Sequence, residues 1–491
     1  MTRPGSRRTA RQIVVASNRG PVSFARDEEG RLMARRGVGG LVTALTGALQ
    51  LSGGLWIASA MSEEDRRQAR SGRVQVALGG EAQGYDVRYL AFDPETYDRF
   101  YNGVSNRLLW YVHHYLWDVA RQPSFDAEGE RDWAAYREVN RAFAEALYRE
   151  GTARGRAGPA YLVQDYHLAL VPSRLRERRP GARIAHFSHI PFAGAGYFRI
   201  LPQRMREELL AGYLGADVVG FHAETWADNF LQCCRSLLGA QVDLRARRVR
   251  WKGRSVRVRV NPISIDAEAL EEQAGSPRVA RARARLERWL GGRRLVLRVD
   301  RAELSKNILR GLLAYRIFLG EHPEWHGRMA YLALLNPSRE SLPEYQSYVR
   351  ECVRMARAIR HEFARPDWDP IQVQVKDDYD RALAAYGLYD VLVVNPVFDG
   401  MNLVAKEGPL LNGRDGVLIL SENAGAFAEL GRHALSINPF DVAGTARAMA
   451  EALAMPDKER RERAVALRKT VRANRLDQWV GRQLDELESP R

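Results

Sequence analysis

The sequence has few cysteines and no long apolar run. Its cysteines, Cys233, Cys234 and Cys352, cannot build a disulfide framework, because two are neighbours on one predicted helix and the third lies on another. We therefore expect buried free thiols. No stretch approaches the ~18 consecutive apolar residues of a transmembrane helix, and the basic start MTRPGSRRTARQ lacks the apolar core of a signal peptide. These absences predict a cytoplasmic protein with no membrane partner.

Lysine is also scarce, although the formal net charge is +15. Arginine supplies nearly all of the positive charge and alternates with acids in segments such as RLRERRPGAR and KERRERAVALRK. Such runs are typical of solvated helix faces, so we expect no nucleic-acid partner, although a positive field attracts phosphorylated small molecules. A lysine retained in this background is a candidate for a position that needs a compact ammonium group. Lys306 and Lys406 both lie in polar segments that carry candidate chemistry.

Short apolar runs alternate with amphipathic segments in both halves of the chain. The first half has IVVASN (13–18), YLVQDY (161–166), ARIAHFSHI (182–190) and ADVVGFHA (216–223), and the second half repeats the pattern from RRLVLRVDR (293–301) to GVLILSENAG (416–425). This alternation predicts an α/β protein of two facing Rossmann-like domains. Ligands are expected in the crevice between them, at the carboxyl ends of parallel strands. The alternation over 248–265 predicts a hairpin that closes the first half, and the charged segment 266–292 predicts an interdomain connection.

The most specific polar segment is DGMNLVAKE (399–407), shortly after the apolar run VLVVNP. A strand that ends in an acid and a glycine before a helix offers backbone N–H groups and a positive helix end to a diphosphate. Gly400 permits close backbone approach and Asp399 is placed to hold sugar hydroxyls. Glu407, about two turns into the predicted helix, is placed to accept hydrogen bonds from a ribose. The alternative interpretation is an ordinary strand–turn–helix with a capping aspartate.

Two cations, Arg301 and Lys306, lie in the segment RAELSKN between a strand and a helix start. Near the positive end of a helix dipole they are unfavourable unless an anion lies between them, and the alternative is a pair of solvated surface charges. NPSR (336–339) is a further polar strand end, which makes Arg339 either a phosphate ligand or an ordinary exposed arginine.

The first half also places polar residues after its strands: SNRG (17–20), the glycine loop 37–40, QDYHL (164–168) and HFSHIPF (186–192). We expect no metal site, because His186 and His189 sit three apart in an apparent strand, on opposite faces, without Cys/His spacing of the zinc type. A Ser-His-Asp hydrolase is also excluded, since no G-x-S-x-G turn joins a strand to a helix.

Taken together, these segments resemble the trehalose-6-phosphate synthase family of retaining glycosyltransferases over nearly the full length. In the family's order they are SNRGPV, GVGGLV, YNGVSNRLLWY, QDYHL, HIPF, R-x-x-x-SK, DGMNLVAKE, LSENAG and INPFD. The resemblance implies a GT-B fold with an interdomain active site: an acceptor-binding domain over 1–268, a nucleotide-sugar domain over 269–464, and a helix at 465–488 that packs back on the first domain. It implies transfer of glucose from UDP- or GDP-glucose to glucose 6-phosphate, giving α,α-trehalose 6-phosphate with retention. It also implies small-molecule substrates and no cofactor or metal.

The resemblance assigns roles to individual residues. The catalytic residues are Asp165, His189, Arg301, Lys306 and Asp399. The donor-binding residues are Gly39, Gly40, Gly400, Met401, Asn402, Leu403, Val404 and Glu407. The acceptor-binding residues are Arg19, Tyr101, Trp110, Asp165 and Arg339. On this interpretation the leaving diphosphate helps to deprotonate the attacking hydroxyl, so catalysis rests on positioning and charge stabilisation.

Several positions depart from the family pattern. Asn307 stands where the better-known synthases carry glycine, Gln164 replaces a histidine, and the stretch around Trp56 has one tryptophan where they have two. The last departure also resembles related pseudo-glycosyltransferases of the validoxylamine 7'-phosphate synthase type, which couple a nucleotide cyclitol to an amino-cyclitol phosphate. A non-catalytic sugar-phosphate sensor is a third alternative, and the intact cation and carboxylate set argues against it. The helical tail is compatible with a domain brace, which we favour, or with a homo-oligomer contact.

Overall fold

Contacts divide the chain into two units, Met1–Asn261 with Leu476–Arg491, and Pro262–Arg475. The computed structural model describes residues 12–489 except 28, 37–41, 43–44, 48, 50–52, 77–83 and 154–157. The division falls at 261/262, where the sequence interpretation placed it at 268/269, and the chain returns to the first unit at Leu476, where that interpretation had 465. The return is tied by two hydrogen bonds, because Asn261 Nδ2 donates to Trp479 O at 2.9 Å and Trp479 Nε1 donates to Asn261 O at 3.0 Å.

The first unit is built on one large sheet. Its strands are β1 (Ile13–Ser17), β2 (Val22–Arg26), β3 (Leu32–Arg36), β4 (Leu55–Ser59), β5 (Arg73–Val76), β6 (Tyr85–Leu90), β7 (Ala160–Gln164), β8 (Arg183–Phe187), β9 (Val218–Phe221), β10 (Gln241–Asp243), β11 (Arg248–Trp251) and β12 (Arg254–Val260). Ten of them follow the order β10-β11-β12-β9-β8-β7-β1-β4-β6-β5, and β2 and β3 form a separate hairpin. The stretch from β12 to β6 is parallel, and the predicted hairpin is confirmed as the antiparallel pair β11 and β12.

The second unit carries a parallel sheet. Its strands are β13 (Arg294–Arg301), β14 (Met329–Asn336), β15 (Ile371–Val375), β16 (Val391–Val394), β17 (Val417–Ser421) and β18 (Leu435–Ile437), in the order β15-β14-β13-β16-β17-β18. From β13 the chain builds outward to one side and then, from β16, to the other. The topological switch therefore lies between β13 and β16, and by the same reasoning the first unit has its switch between β1 and β7.

Helices connect the strands in both units. In the first unit they are Glu63–Arg70, Pro94–Asp98, Trp110–His113, Ala127–Ala153, Val171–Arg178, Ala195–Phe198, Gln203–Tyr213, Glu224–Leu238 and Leu476–Glu488, with a π-helix at Arg99–Leu109 and a 3-10 turn at Tyr166–Leu168. In the second unit they are Ala267–Ala274, Pro277–Leu290, Ile308–Glu321, Pro343–Phe363, Tyr379–Tyr386, Val404–Leu411, Phe427–Leu430, Val442–Ala454 and Asp457–Ala473, with 3-10 turns at Leu304–Lys306, Pro323–Trp325 and Gly431–His433. The segment 266–292, interpreted as a connection, thus forms two helices of the second unit. No helix in the described ranges is long and apolar enough to cross a membrane.

Several central strands are buried along their whole length, which explains their continuous apolar runs in the sequence. All five residues of β1, β4, β7 and β17 are buried, as expected for parallel strands that are covered on both faces. The cysteines are buried free thiols, with Cys233 and Cys234 on helix Glu224–Leu238 and Cys352 on helix Pro343–Phe363, as predicted.

Candidate active-site residues

The switch point of the second unit brings the two predicted donor segments together. Arg301 is the last residue of β13, and Lys306 ends the 3-10 turn that follows it. Lys306 Nζ donates to Asp399 Oδ2 at 2.5 Å, and Asn402 Nδ2 donates to the same oxygen at 3.1 Å. A carboxylate and an ammonium group are thus in direct contact at the carboxyl ends of β13 and β16, where parallel sheets bind their ligands.

A buried carboxylate holds the other two cations. Glu303 Oε1 lies 3.0 Å from Arg301 Nη1 and 2.7 Å from Arg339 Nη1, and it accepts a hydrogen bond of 2.7 Å from Ser338 Oγ. Burial would raise the pKa of this carboxyl, but the positive charges of Arg301, Arg339 and Lys306 outweigh it and lower the pKa to about 2. Arg339 is therefore part of the cation cluster that includes Arg301, and its backbone is in the left-handed region with φ 49°. Left-handed non-glycine residues cluster at ligand sites.

The loop 395–403 differs from its sequence prediction. Strand β16 ends at Val394, so Asp399 does not close the strand but lies five residues beyond it, because Pro396 lacks the N–H that a continuing ladder needs. The left-handed position in the loop is Asn402, with φ 74°. A close approach of two loops occurs at Gly425, where a Cβ would lie 1.9 Å from Gly400 O. Residues 399–402 are therefore held against the segment after β17.

Glu407 lies closer to the helix start than predicted. Helix Val404–Leu411 begins at Val404, so Glu407 is in its first turn rather than two turns in, and no side chain caps this helix. Glu407 Oε2 accepts a hydrogen bond of 3.1 Å from the Tyr386 hydroxyl. Burial raises the pKa of Glu407, and the bond from Tyr386 opposes that rise. The neighbouring Lys406 is buried and bonds to Glu429 Oε2 at 2.6 Å and to Ile263 O at 2.8 Å, which are structural contacts.

In the first unit, two predicted acceptor ligands are in contact. Arg19, after β1, donates from Nη2 to the Tyr101 hydroxyl at 3.1 Å. Tyr101 lies in the π-helix Arg99–Leu109 and stacks on Tyr97 and on His167 with ring centroids 5.7 Å and 5.9 Å apart. Segments of π-helix are frequent at functional sites. Trp110, which directly follows this π-helix, is almost fully buried and stacks on His114 with ring centroids 3.9 Å apart.

Asp165 is held in an uncommon backbone conformation directly after β7. Its φ is 70°, and its Oδ1 accepts a hydrogen bond of 3.1 Å from the His189 backbone N–H. Its carbonyl oxygen accepts a bond of 3.1 Å from His186 Nε2. The two histidines do not share a strand, since β8 ends at Phe187, so His189 lies in the loop beyond it. The opposite-face argument drawn from the sequence therefore does not apply to this pair.

His189 is the centre of a hydrogen-bonded chain. Its Nε2 lies 3.0 Å from Gln164 Oε1 and its Nδ1 lies 3.2 Å from His222 Nε2. Because an amide oxygen only accepts, Nε2 of His189 carries the proton and Nδ1 accepts from His222. Burial lowers the pKa of His189 to about 3, so the ring is neutral at pH 7. Gln164, a departure from the family pattern, thus fixes the tautomer of a predicted catalytic residue.

Sequence reasoning missed three members of these clusters. Glu303 stands between the two predicted cations, and this spacing alone was a usable sign of a shared carboxylate. His222 and Tyr386 have no comparable sign, because both reach the site only through the tertiary fold.

Trp56 is fully buried, and its indole N–H donates to Ser17 Oγ at 2.7 Å, so it supports the turn that carries Arg19. Gly39 and Gly40, predicted to bind the donor, lie outside the described residues.

No group of three histidine, cysteine or carboxylate side chains suited to a metal ion occurs within the described ranges. Both switch points lie within these ranges, since the residues that directly follow β1, β7, β13 and β16 are described.

Comparison with known proteins matches residues 11–489 to the profile described as Glycosyltransferase family 20. A validamine 7-phosphate valienyltransferase of Streptomyces hygroscopicus subsp. jinggangensis is 34% identical over 485 residues, which are 98% of this chain and 95% of that protein. A trehalose-6-phosphate synthase of Mycobacterium marinum is 36% identical over 489 residues, which are 98% of this chain and 94% of that protein. The solved trehalose-6-phosphate protein of E. coli bound with UDP-2-fluoro glucose superposes with a TM-score of 0.84 at 28% identity, covering 98% of this chain and 99% of that one.

Proposed function

Because the chain belongs to glycosyltransferase family 20, has the GT-B fold and is a glycosyltransferase, we propose that it forms α,α-trehalose 6-phosphate. In the proposed reaction, glucose passes from a nucleoside diphosphate glucose, either UDP- or GDP-glucose, to glucose 6-phosphate with retention of configuration. The observation that carries the proposal is the contact between Lys306 and Asp399 beside the Arg301–Glu303–Arg339 cluster at the switch point of the second unit.

The second unit supplies the donor half-site of this proposal. Arg301 and Lys306 bind the diphosphate, and Asp399 with the amides of Gly400 to Val404 holds the sugar and the phosphates. Glu407, whose carboxyl stays near the helix start through Tyr386, binds the ribose hydroxyls. Helix N-termini and arginine or lysine side chains are favoured ligands of diphosphates.

The first unit supplies the acceptor half-site. Arg19 and Tyr101, already in contact, bind the phosphate of glucose 6-phosphate, and Asp165 accepts hydrogen bonds from its hydroxyls. His189, neutral and fixed by Gln164, acts in the proposed reaction as a hydrogen-bonding group rather than as a proton acceptor. Arg339, held by Glu303 in the cation cluster of the second unit, is a further candidate ligand of a substrate phosphate.

The proposed chemistry needs no metal ion, because Arg301 and Lys306 supply the positive charge. The bond between the anomeric carbon and the diphosphate oxygen breaks, and the acceptor hydroxyl oxygen bonds to the same face of that carbon. The hydroxyl proton passes to the departing diphosphate oxygen, so no protein group gains or loses a proton overall. Preorganised cations that meet the developing charge account for the largest part of the rate in such a mechanism.

The test is an endpoint assay of the purified protein with glucose 6-phosphate and UDP-, GDP- or ADP-glucose, with and without EDTA. Nucleoside diphosphate release and a disaccharide phosphate of the expected mass should appear together with at least one donor, and proton NMR should give two anomeric signals, both of α configuration. Lys306→Ala protein is the matched control for trace contaminants. If none of the three donors gave the disaccharide phosphate, the proposal would be defeated.

A second candidate reaction couples a nucleotide-activated cyclitol to an amino-cyclitol phosphate. The observation that favours it is the similarity to the Streptomyces valienyltransferase, together with the single tryptophan of the Leu55–Ser59 stretch. Assays that offer nucleotide-activated valienol with validamine 7-phosphate, alone and in competition with the glucose substrates, distinguish the two. Glucosyl transfer at an ordinary enzymatic rate would exclude this candidate.

A further inference from the structure

Arg298 is a fully buried arginine of β13 that none of the proposed substrate contacts uses. Its guanidinium group interacts with the Tyr331 hydroxyl and contacts three further polar groups. Nε lies 3.0 Å from Asp300 Oδ2, Nη1 donates to Asn395 Oδ1 at 2.6 Å, and Nη2 donates to the backbone carbonyl of Lys306. One side chain therefore joins β13 to the turn that carries Lys306 and to the first residue after β16.

The two loops are also joined directly. Asn307 Nδ2 donates to Asn395 O at 3.0 Å and to Pro439 O at 2.8 Å, and Asn395 Nδ2 lies 3.4 Å from Asn307 O. Asn307 adopts a left-handed conformation with φ 59°, which asparagine tolerates better than most residues. Lys306 is thus held from its carbonyl on one side and from the next residue on the other.

The packing around Arg298 leaves room for an arginine only because residue 311 is a glycine. A Cβ at Gly311 would lie 2.5 Å from Arg298 Nη1, and 3.3 Å from both the nitrogen and the oxygen of the Asn395 side chain. Gly311 lies on helix Ile308–Glu321, where glycine is otherwise unfavourable. Gly311 therefore makes room for the guanidinium group and lowers the stability of helix Ile308–Glu321.

We propose that Arg298 is a positioning residue that fixes Lys306 against Asp399 and so preorganises the diphosphate-binding side of the switch point. This inference rests on the proposed function, since it assigns the diphosphate to Lys306. Arginine is required because its planar fork reaches the Lys306 carbonyl and the Asn395 amide oxygen at once, whereas lysine offers a single point of attachment. Without the fork, the turn Leu304–Lys306 loses the bond to the Lys306 carbonyl and keeps those of Asn307 and of the Val397 N–H, which donates to the Ser305 carbonyl at 2.8 Å.

The test compares Arg298→Lys with Arg460→Lys. The first change keeps a positive charge beside Asp300 and removes the fork. The second is the matched control, because Arg460 is also buried in the same unit and bonds to Asp390 and to the carbonyls of Arg414 and Asp415. Asp390 precedes β16, so these contacts lie at the amino end of that strand, whereas Lys306 follows the carboxyl end of β13. Both proteins should lose comparable stability, so any difference between them reports position and not folding.

Hydrogen exchange gives a readout that needs no ligand. The amides of Lys306 and Asn307, which bond to the Glu303 and Leu304 carbonyls, should exchange faster in Arg298→Lys than in wild type or in Arg460→Lys. Calorimetry with UDP and GDP should show binding about 10-fold weaker for Arg298→Lys, the scale of one lost charge-assisted hydrogen bond, with glucose 6-phosphate affinity unchanged. In turnover, KM for the nucleotide sugar should rise more than KM for the acceptor.

A second variant tests the same contact from the other side. Gly311→Ala should press on Arg298 Nη1 and reproduce the exchange and affinity changes, while adding little to them in the Arg298→Lys background. Unchanged exchange at Lys306 and Asn307 in Arg298→Lys would overturn the positioning role. Wild-type protein that binds neither UDP nor GDP would instead defeat the proposed function, and the exchange result would still decide whether Arg298 orders this turn.

Discussion

At the scale of single residues, the burial of the Glu303 carboxylate is the main electrostatic cost of the proposed donor half-site. A fully buried carboxylate is stable only when it is paired, and here two arginines and a serine hydroxyl share one of its oxygens. The ion pair with Glu303 orients the Arg301 side chain and leaves 52% of its area exposed, so that it can still contact a ligand. In the proposed reaction, the positive charge of Arg301 is thus held in place by Glu303, a group to which the proposal assigns no substrate contact.

Replacement of Arg301 tests that arrangement. Arg301→Ala should lower turnover by about 10²-fold or more, the scale for loss of one group that stabilises charge in the transition state. Steady-state kinetics would be compared with Arg316→Ala, which removes a similarly exposed arginine of the same unit, ion-paired with Glu362 at 2.6 Å. Equal effects of the two changes, or none from either, would remove Arg301 from the site.

Asn307 shows how a departure from the family pattern is accommodated. Glycine and asparagine are the two residues that occupy the left-handed region most readily, so the backbone here is the one that a glycine would adopt. Asn307→Ala should destabilise the protein by roughly 1 kcal/mol more than Asn307→Gly, because both lose the side-chain hydrogen bonds but only alanine is strained at positive φ. Denaturant unfolding of the two variants measures the difference. Equal stabilities would show that the conformation costs alanine nothing.

At the scale of strands and loops, the sequence predicted well where a local pattern determines the structure. Buried parallel strands are continuous apolar runs, and the polar residues that follow them were predicted to gather at the carboxyl edge of each sheet. Arg301, Lys306 and Asp399 do so.

The remaining features depend on contacts between distant segments. The π-helix around Tyr101 and the hydrogen bond of Gln164 to His189 have no periodicity that a sequence displays, whereas Pro396 is a local sign that β16 ends before Asp399. The site roles themselves stay predictions until they are tested.

The close approach of two loops predicts the effect of a single methyl group. Gly425→Ala would place a Cβ 1.9 Å from Gly400 O, a backbone atom that cannot rotate away, so the loop 399–402 must shift. We expect binding of nucleoside diphosphate to weaken by at least about 10-fold, with a loss of stability of roughly 1–3 kcal/mol, as for overpacked interiors. Gly413→Ala is the control, since its Cβ would meet only Gly387 O at 3.6 Å, an ordinary contact. Normal binding by Gly425→Ala would contradict the assignment of this loop to the donor.

At the scale of the whole molecule, the two units differ in the ionisable groups that they bury. In the first unit, burial lowers the pKa of His113, His186 and His189 to about 3. In the second unit, Glu303 is the buried carboxyl whose pKa is lowered to about 2. The histidines and Glu303 bind protons in different pH ranges. Mild acid should therefore lower the stability of the first unit before that of the second.

The sign follows from which state binds protons. Above pH 6.5 the three histidines are neutral in both the folded and the unfolded chain and do not affect stability. Between pH 6.5 and about 3 the unfolded chain takes up protons that the folded unit does not, so stability falls by up to about 1.4 kcal/mol per pH unit for each histidine. The contribution of Glu303 is fully present above pH 4.5 and is lost only as the pH falls toward 2.

Limited proteolysis at pH 7.5, 6.5 and 5.5, with fragments identified by mass, should therefore show the first unit becoming susceptible before the second as the pH falls. His113→Gln keeps an acceptor for the Ala193 N–H, which donates to His113 Nδ1 at 3.3 Å, and removes one titrating ring. Its stability should fall with acid about one third less steeply than that of the wild-type first unit, since one of the three histidines whose pKa is lowered to about 3 is gone. Simultaneous cleavage of both units at pH 5.5, or an unchanged slope in His113→Gln, would mean that these histidines do not control the acid response.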